Sequence, residues 1–555
     1  MWFSFFYESV FDNKKARVLP CLLFTASLCL LTPLCNAQYD PDFRCAAHSQ
    51  GNLQLRIDNS GGLVSGAHSL DTMGYVDPFT GDTVGHCVYP RGSKIEYLGH
   101  AFLIYGAIVG RDTLVSNFQE LWPDQAPFGS FSPATFDKSK PHYSPSARSE
   151  LELTCEYTDT LTDSRWVSSD QCDTRLHIPL GIEVVQRSLA WSSNIVDDFV
   201  LVDNWVYNIS DKHLCNLWVG CQFHTHVRHP STSTDEIVGT VGFLNTFPAP
   251  EGCWYEDTLG VAYGMDFDGN PVAGQFTPFS PLGAVGVMYL SGSSERLRVN
   301  YNWTGLHSWG PRKQGTLGDP LRSLGPWNAY PCGDVNTYYA LSHLETDYDF
   351  MFTAIDHTSQ GWLPPPSHIE EFLATGGYTT WLSLGPFDLP QKQSINFTIA
   401  IVGGDNVHHD PTAFERLFDP NHPEAFYNQL DFSELAANAR WAKRVYDNPG
   451  VDTDGDGYYG EKRICNGDTT WYKGDGVPDF KADAPPPAPY TRIITQTGQL
   501  TIRFNGYYSE TFVDPFTGVK DFEGYKVYCG LDERETSLSV LSSFDNENYN
   551  RYIWT

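Results

Sequence analysis

An aspartate- and glycine-rich stretch in the last fifth of the chain holds the residues whose types and spacing most clearly predict chemistry. Asp452, Asp454 and Asp456 stand at alternate positions, with Gly455 and Gly457 between and after them. Carboxylates at every second position of a tight loop can supply the oxygen ligands that calcium requires. The glycines allow the positive φ angles that such a loop needs. The sequence therefore predicts a structural calcium site.

The same stretch continues with three further candidate ligands, Asp475, Asp479 and Asp483. It is not an EF-hand, because position twelve counted from Asp452 is Arg463, where a bidentate glutamate is required. An acidic, solvated linker without an ion is the alternative interpretation. The run from Asp475 to Asp479 (Asp-Gly-Val-Pro-Asp), with Asp483 four residues on, resembles the calcium repeats of the thrombospondin type 3 family. That resemblance implies a linker that stays loose until an ion neutralises its charge.

A second candidate metal site consists of histidines. On a strand, His224 and His226 point to the same face, as in two-histidine zinc or copper sites. His229, His408 or His409 would supply a third ligand. Solvated histidines at a strand end are the alternative.

Other enzyme classes find little support in the motifs. The chain has neither the Gly-x-Ser-x-Gly elbow of serine hydrolases nor the His-Glu-x-x-His of zincins. A glycosidase needs two facing carboxylates, and 67 acidic residues prevent the sequence from nominating a pair. Trp303, His307, Trp309 and Trp327 could stack on sugar rings, although buried core positions are the more common role of tryptophan.

Composition excludes one large class of partner. The chain has 36 basic and 67 acidic residues, a net charge of −31, which argues against a nucleic-acid ligand. Its 555 residues, 41% of them hydrophobic, suffice for two or three domains with real cores.

The N-terminus predicts export. Basic residues precede an apolar run over 18–34, and small residues end at Ala37, so we predict a signal peptide over 1–37. A retained anchor helix is the alternative; no other segment is long and apolar enough to span a membrane. Ten cysteines then remain, and two disulfides are plausible, Cys45 with Cys87 and Cys155 with Cys172.

Residues 38–430 read as a large antiparallel β-sandwich, because short aromatic and β-branched runs alternate with turn residues. The run 199–207 is apolar on both faces, which predicts a central strand. We predict that it forms a hairpin with 217–223 and that 182–190 is a further strand. A second hairpin is predicted between 379–384 and 394–402.

The remainder divides into a helix over 431–448, a calcium-type linker over 449–484 and a small β-module over 485–555. Asp431 and Glu434 form a capping-box pattern that starts the helix. The module resembles the opening of a fibronectin type III domain, an immunoglobulin-like sandwich. It has a proline-rich entry, Phe504 where tryptophan is usual, and a Gly-Tyr-x-Val-Tyr strand at 524–528. Too few residues follow Tyr528 for seven strands, so we expect an incomplete module.

Roughly residues 150–540 resemble a family of uncharacterised exported bacterial modular proteins. Similar proteins tend to carry acidic residues after the Gly220 position, where this chain has His224 and His226. The segments that carry the resemblance are Pro179–Val184, Ala190–Ser192, Asp197–Val200, Asn208–Asp211, Trp218–Gly220, Leu384–Asp388, Trp441–Ala442 and Val445–Asp452.

Taken together, these patterns predict a secreted or cell-surface protein without catalytic activity. It would serve adhesion or interaction outside the cell by binding an extracellular protein or glycan, and calcium would stabilise its linker as a structural ion. The alternative is a secreted carbohydrate-active enzyme or carbohydrate-binding protein in which the fibronectin-type module is a spacer.

Overall fold

The chain is mainly antiparallel β-structure, as its short β-branched and aromatic runs predict. The computed structural model describes residues 41–64, 75–76, 83–119, 122–138, 140–167, 169, 175–231, 239–249, 258–290, 296–305, 311, 331, 333–357, 368–373, 377–452, 454–465, 467–482, 486–487, 489–513, 520, 522–529 and 539–545. The predicted signal peptide lies outside these residues. Among them, no helix is both long and apolar enough to cross a bilayer.

The strands are numbered along the chain. The first thirteen are β1 (Cys45–His48), β2 (Gln54–Asp58), β3 (Gly62–Val64), β4 (Tyr75–Val76), β5 (Thr83–Val84), β6 (Cys87–Val88), β7 (Glu96–Val109), β8 (Asp112–Ser116), β9 (Phe118–Gln119), β10 (Trp122–Pro123), β11 (Ala126–Pro127), β12 (Ser132–Ala134) and β13 (Leu151–Thr158). The next nine are β14 (Ile182–Ala190), β15 (Phe199–Asn208), β16 (Leu214–Arg228), β17 (Thr240–Thr246), β18 (Thr258–Met265), β19 (Ala284–Tyr289), β20 (Arg298–Gly305), β21 (Tyr378–Leu389) and β22 (Ser394–Gly404). The last six are β23 (Glu461–Cys465), β24 (Asp468–Lys473), β25 (Tyr490–Gln496), β26 (Gln499–Asn505), β27 (Gly524–Cys529) and β28 (Ser539–Asp545).

The described residues hold seven α-helices, where the sequence predicts one. They are α1 (Gly333–Ser342), α2 (Thr353–Asp356), α3 (Ile369–Leu373), α4 (Ala413–Leu417), α5 (Glu424–Tyr427), α6 (Ser433–Tyr446) and α7 (Tyr507–Thr511), with a 3-10 turn over Phe350–Phe352.

Two nine-stranded antiparallel sheets form the body of the protein. The first sheet has the order β1-β2-β6-β7-β16-β21-β20, with β3 and β8 also pairing with β7. The second has the order β11-β13-β14-β15-β22-β19-β18-β17, with β12 on β13. They pack face to face around one apolar core. At its centre, Tyr289 Oη of the second sheet donates to Val219 O of the first at 2.9 Å.

Both predicted hairpins are wrong, because the two strands of each belong to different sheets. β15 and β16 are consecutive along the chain, yet β15 pairs with β14 and β22, whereas β16 pairs with β7 and β21. β21 and β22 likewise lie in different sheets. The central position of β15 is confirmed. Each polar turn is therefore a crossing between sheets, which the alternation of residues cannot distinguish from a hairpin turn.

The two crossings meet at Asn208, which is 1% exposed. Its Nδ2 donates to Lys212 O at 2.8 Å within the first crossing and to Leu389 O at 3.0 Å at the end of β21. Its Oδ1 accepts from the backbone N–H of Ser210 at 3.0 Å. Its backbone carbonyl accepts from Lys392 N at 3.0 Å in the second crossing. One side chain and its peptide thus join both crossings.

The predicted helix is confirmed as α6. Its apolar stripe is buried, and α6 packs on β22, β15 and β18 of the second sheet. A β-carbon at Gly404 would lie 2.5 Å from the backbone of Leu435, so glycine permits this approach.

The predicted capping box at the start of α6 forms only in part. Asp431 Oδ1 accepts from Ser433 N at 2.9 Å, whereas Glu434 Oε2 accepts from Asn406 Nδ2 instead of turning back.

The segment after α6 packs against the sandwich. Phe480 is 6% exposed, stacks edge-on against Tyr446 and lies under the guanidinium of Arg187. The strand predicted at 524–528 is confirmed as part of β27, and Phe504 lies in β26. The fibronectin type III assignment stays a prediction.

Neither proposed disulfide forms. Cys87 and Cys155 are buried free thiols. Cys45 lies opposite Asp58 and Cys87 opposite Leu55, three residues apart along β2 and on opposite sides of that strand, so their backbones are about 14 Å apart, too far for a bridge. Cys172 lies outside the described residues.

We expect Asn208→Ala to lower the free energy of unfolding by about 2–3 kcal/mol, because it leaves the buried Leu389 carbonyl and the Lys212 carbonyl without their donor. Urea denaturation measures this loss. The control is Ser210→Ala, which removes one partly exposed hydroxyl and should have less than half the effect. An equal loss in both variants would contradict the role given to Asn208.

Candidate functional site

The outer face of the first sheet carries two consecutive rows of polar and aromatic side chains, which we call the polar face. Residues directly opposite each other on antiparallel strands share a face. The first row, across β7, β16, β21 and β20, is Phe102, Gln222, Trp381 and Asn302. The second row, in the same order, is His100, His224, Thr379 and Thr304.

Helix α1 covers the sheet immediately beside the first row. A β-carbon at Gly220 would lie 2.4 Å from a methyl of Leu341, so glycine lets the helix sit directly on β16. The last carbonyls of α1 accept hydrogen bonds from the sheet. Asn300 Nδ2 donates to Ala340 O at 2.8 Å, and Ser383 Oγ donates to Leu341 O at 2.6 Å. These hydrogen bonds give the carbonyls at the C-terminal end of α1 their partners, and they hold the helix along one border of the polar face.

Several polar atoms of the polar face have no hydrogen-bond partner among the residues that the structure describes. They are both amide atoms of Gln222, the indole Nε1 of Trp381 and the hydroxyl of Thr379. These side chains are at most 2% exposed. A buried polar group without a partner costs about 1–3 kcal/mol, so these four atoms on adjoining strands would be stabilised by hydrogen bonds to a further partner.

The histidines of the second row form a stack. The ring centroids of His100 and His224 lie 5.0 Å apart and nearly parallel, and His226 follows at 5.7 Å from His224. Burial lowers the pKa of His100 to about 3, with further repulsion from His226 and His86. The His100 imidazole is therefore neutral at physiological pH.

A charged network closes the histidine end of the polar face. Arg228 Nε donates to Glu96 Oε2 at 3.0 Å, and His86 Nδ1 lies 3.2 Å from Glu96 Oε1. Burial alone would raise the pKa of Glu96. Hydrogen bonds and charge from His86, together with Arg228, outweigh burial and hold it at about 2. The cation and anion of this network thus neutralise each other.

The sequence anticipated His224, a member of the polar face, together with its neighbour His226, and the structure brings the two rings side by side. It does not add the proposed third ligands. His229 stacks on Phe279, His408 Nε2 contacts Asp266 O at 3.0 Å, and His409 lies 3.5 Å from Asp431. Within the described ranges, no third ligand atom gathers with His224 and His226.

Gln222, Trp381 and Thr379 were missed. The available signal was a glutamine that interrupts the apolar residues of a central strand.

Among the aromatic residues considered for sugar stacking, Trp303 belongs to the core, where its Nε1 donates to Tyr348 O at 2.7 Å. His307, Trp309 and Trp327 lie outside the described residues.

The first half of the predicted calcium segment gathers as expected. One carboxylate oxygen from each of Asp452, Asp454 and Asp456 lies within 4.8 Å of the others. Gly455 and Gly457 have φ angles of 79° and 87°. Asp452 accepts from the backbone N–H of both glycines at 2.7 and 2.9 Å. The loop holds three carboxylates together, and calcium binding there stays a prediction.

The second half is arranged differently. Asp479 is 3% exposed and accepts from Asn448 N at 2.6 Å, while Asp475 caps its own turn through Val477 N. Asp447, which was not among the candidates, lies beside both. Burial raises the pKa of Asp447 to about 6, and repulsion from Asp475 and Asp479 adds to this. Asp483 lies outside the described residues.

Comparisons with known proteins give a weak likeness of fold only. No protein-family model and no curated protein matches the chain. Among solved structures, a proposed aldose 1-epimerase from Escherichia coli K12 shares 10% identity over 66% of this chain and 100% of its own, with a TM-score of 0.22. A Synechocystis protein has 10% identity over 67% and 99%, and a galactose mutarotase related enzyme from Lactobacillus acidophilus has 9% over 66% and 99%, both at 0.22. No argument about function rests on scores this low.

We expect calcium to raise the melting temperature of the protein, because a cation relieves the repulsion among Asp452, Asp454 and Asp456. At a concentration of 100 times the dissociation constant, the gain is about 2.7 kcal/mol. Asp454→Ala/Asp456→Ala should abolish the response, whereas the exposed pair Asp112→Ala/Asp211→Ala should keep it. Melting with calcium, and with magnesium for comparison, tests this; an unresponsive wild type would refute the site.

Asp447→Asn should stabilise the protein above about pH 6. The folded-state pKa of Asp447, about 6, exceeds its unfolded value of about 3.9. The folded state therefore binds more protons in that window, and ionisation of Asp447 lowers stability as pH rises through it.

Because the Asp447 carboxyl is partly exposed, the gain is about 1 kcal/mol at pH 7 after allowance for solvent screening. Denaturation of both proteins from pH 4 to pH 8 measures it. The difference should vanish toward pH 4, and a pH-independent difference would contradict the assignment.

Proposed function

We propose that the protein binds carbohydrate through the polar face. The supporting observation is the set of buried, unpartnered polar atoms on Gln222, Trp381 and Thr379, which lie on two adjacent strands next to the aromatic surface of Phe102. The set includes donors, acceptors and one hydroxyl that serves as either. Sugar hydroxyls also both donate and accept, so one ligand of this class can satisfy all of them.

The charge state of the polar face favours a neutral ligand. The side chains of the first row are uncharged, and burial keeps His100 neutral. The nearest cation, Arg228, is already paired with Glu96. An anionic ligand would therefore lack the charge-assisted hydrogen bonds that phosphate and carboxylate sites provide. A purely apolar ligand would leave the amide of Gln222 unsatisfied.

The dimensions of the rows also fit a sugar ring. Neighbouring strands lie about 4.8 Å apart, and the two rows are two residues, about 6.7 Å, apart along each strand. Gln222, Trp381, His224 and Thr379 thus mark the corners of a patch comparable with one hexose. The ring of Trp381 packs in the apolar cluster beneath α1 with Ile104 and Leu341, so its contribution to a ligand is the unpartnered indole N–H donor.

Binding without hydrolysis is the simpler form of this function. Neither row contains an acidic residue, so the two facing carboxylates that glycoside hydrolysis requires are absent from the rows themselves. The sequence left open a carbohydrate-active enzyme or a carbohydrate-binding protein, and we therefore propose the binding protein. Export and the extracellular location of the glycan remain predictions, as does the adhesive role.

Gln222→Met and Trp381→Phe should each weaken binding of a neutral oligosaccharide at least 10-fold, since each removes hydrogen-bonding atoms and keeps most of the side-chain volume. A glycan array with the full-length protein identifies the ligand, and titration calorimetry with the best sugar measures the change. Gln186→Met is the matched control: Gln186 is also buried with both amide atoms unpartnered, but lies in the second sheet.

Stability provides an independent criterion. Without ligand, Gln222→Met should melt at the wild-type temperature or higher, because it removes buried polar atoms that lack partners. Loss of binding together with unfolding would indicate a structural role for Gln222. Equal binding by Gln222→Met, Trp381→Phe and wild type would refute carbohydrate binding at the polar face.

A further inference from the structure

Three side chains of different chemistry converge at the opposite end of β16 from the histidines of the polar face. His213 Nε2 lies 2.8 Å from Asp388 Oδ1. One ligand atom from each of His213, Cys215 and Asp388 lies within 4.8 Å of the other two. Cys215 is a free thiol, and the side chains of His213 and Asp388 are 47% and 67% exposed, so ions in solution can reach the group.

The fold holds this group from both sides. Cys215 lies in an irregular start of β16, where the register shifts against both β7 and β21. Asn216 adopts a φ of +47° there, and its carbonyl accepts from Tyr338 Oη of α1 at 2.8 Å. On the other side, Asp388 precedes Leu389, whose carbonyl accepts from Asn208 Nδ2. Bulges of this kind commonly re-aim side chains at functional positions.

We propose that His213, Cys215 and Asp388 bind a zinc ion. Imidazole nitrogen, thiolate sulfur and carboxylate oxygen are the three ligand types that proteins use for Zn²⁺. A thiolate in the set disfavours calcium and magnesium, which take oxygen ligands. Three protein ligands leave one tetrahedral position for water.

Proton release accompanies binding. The Cys215 thiol loses its proton when sulfur coordinates the metal, and His213 must present the Nε2 lone pair instead of a proton to Asp388. The metal thus takes the place of the proton between His213 and Asp388, and modest separation of these two side chains accommodates it. Because both are exposed, this movement disturbs no core packing.

The zinc site is separate from the polar face and from the acidic loop. Cys215 and His224 lie nine positions apart on β16, about 30 Å along an extended strand. None of its ligands belongs to the calcium prediction or to the histidine pair predicted from sequence. The proposal therefore stands or falls independently of carbohydrate binding.

Cobalt titration of the reduced full-length protein tests the site, because Co²⁺ bound to a thiolate gives a charge-transfer band in the near ultraviolet. We expect one equivalent to produce the band and Zn²⁺ to remove it by competition. Cys215→Ser should abolish the band while keeping the side-chain volume. His213→Ala and Asp388→Ala should weaken Zn²⁺ binding at least about 100-fold.

Two matched variants serve as controls. Cys529→Ala removes another exposed thiol, and His409→Ala removes a histidine that lies 3.5 Å from Asp431 without a cysteine beside it. Both should keep the band. Absence of the band from wild type, or its persistence in Cys215→Ser, would overturn the proposal, and melting curves show whether each variant is folded.

Discussion

The crossing of the chain between two sheets at Asn208 is the constraint on which the remaining structure depends. β15 and β22 run through the middle of the second sheet, and β16 and β21 run side by side in the first. All four meet at this corner, where buried peptide groups have to turn and still find partners. Through its side chain and carbonyl, Asn208 takes part in five hydrogen bonds within the two crossings. It thereby fixes the register of the strands that carry both the polar face and the proposed zinc ligands.

The corner also shows what could and could not be predicted from the sequence. Local alternation located β14, β15, β16, β21 and β22 and the stripe of α6, since these depend on residues close along the chain. Pairing depends on contacts between distant segments, and a polar turn between two sheets has the same composition as a hairpin turn. For the same reason the pairing of Gln222 with Trp381, and of His213 with Asp388, was not predictable. Only groups close together along the chain, His224 with His226 and the carboxylates of Asp452, Asp454 and Asp456, were found in advance.

The polar face combines features that would oppose each other in an ordinary core. Burial strengthens hydrogen bonds, but it also makes every unpartnered polar atom unfavourable for folding. Both amide atoms of Gln222 are buried without partners on a central strand, at a position where leucine or methionine would fit the surrounding apolar residues. In the next row of the same sheet face, Asn300 and Ser383 donate hydrogen bonds to backbone carbonyls of helix α1. The fold is therefore able to provide hydrogen-bond partners for polar side chains on this face. The unpartnered atoms of Gln222, Trp381 and Thr379 therefore mark a position at which local stability is reduced, as the proposed binding role would require.

The acidic segment after α6 belongs to the folded body as well as to the predicted calcium loop. The backbone N–H groups of Asp479 and Lys481 donate to the last carbonyls of α6, Tyr446 O and Val445 O, and so cap the helix. Asp447 follows that helix end directly, where the negative end of the helix dipole disfavours a carboxylate. Asp475 and Asp479 add like charge, and together with burial this raises the pKa of Asp447. Negative charge therefore accumulates where the fold requires the segment to pack, and a cation there would act on the stability of the sandwich rather than on the stiffness of a hinge.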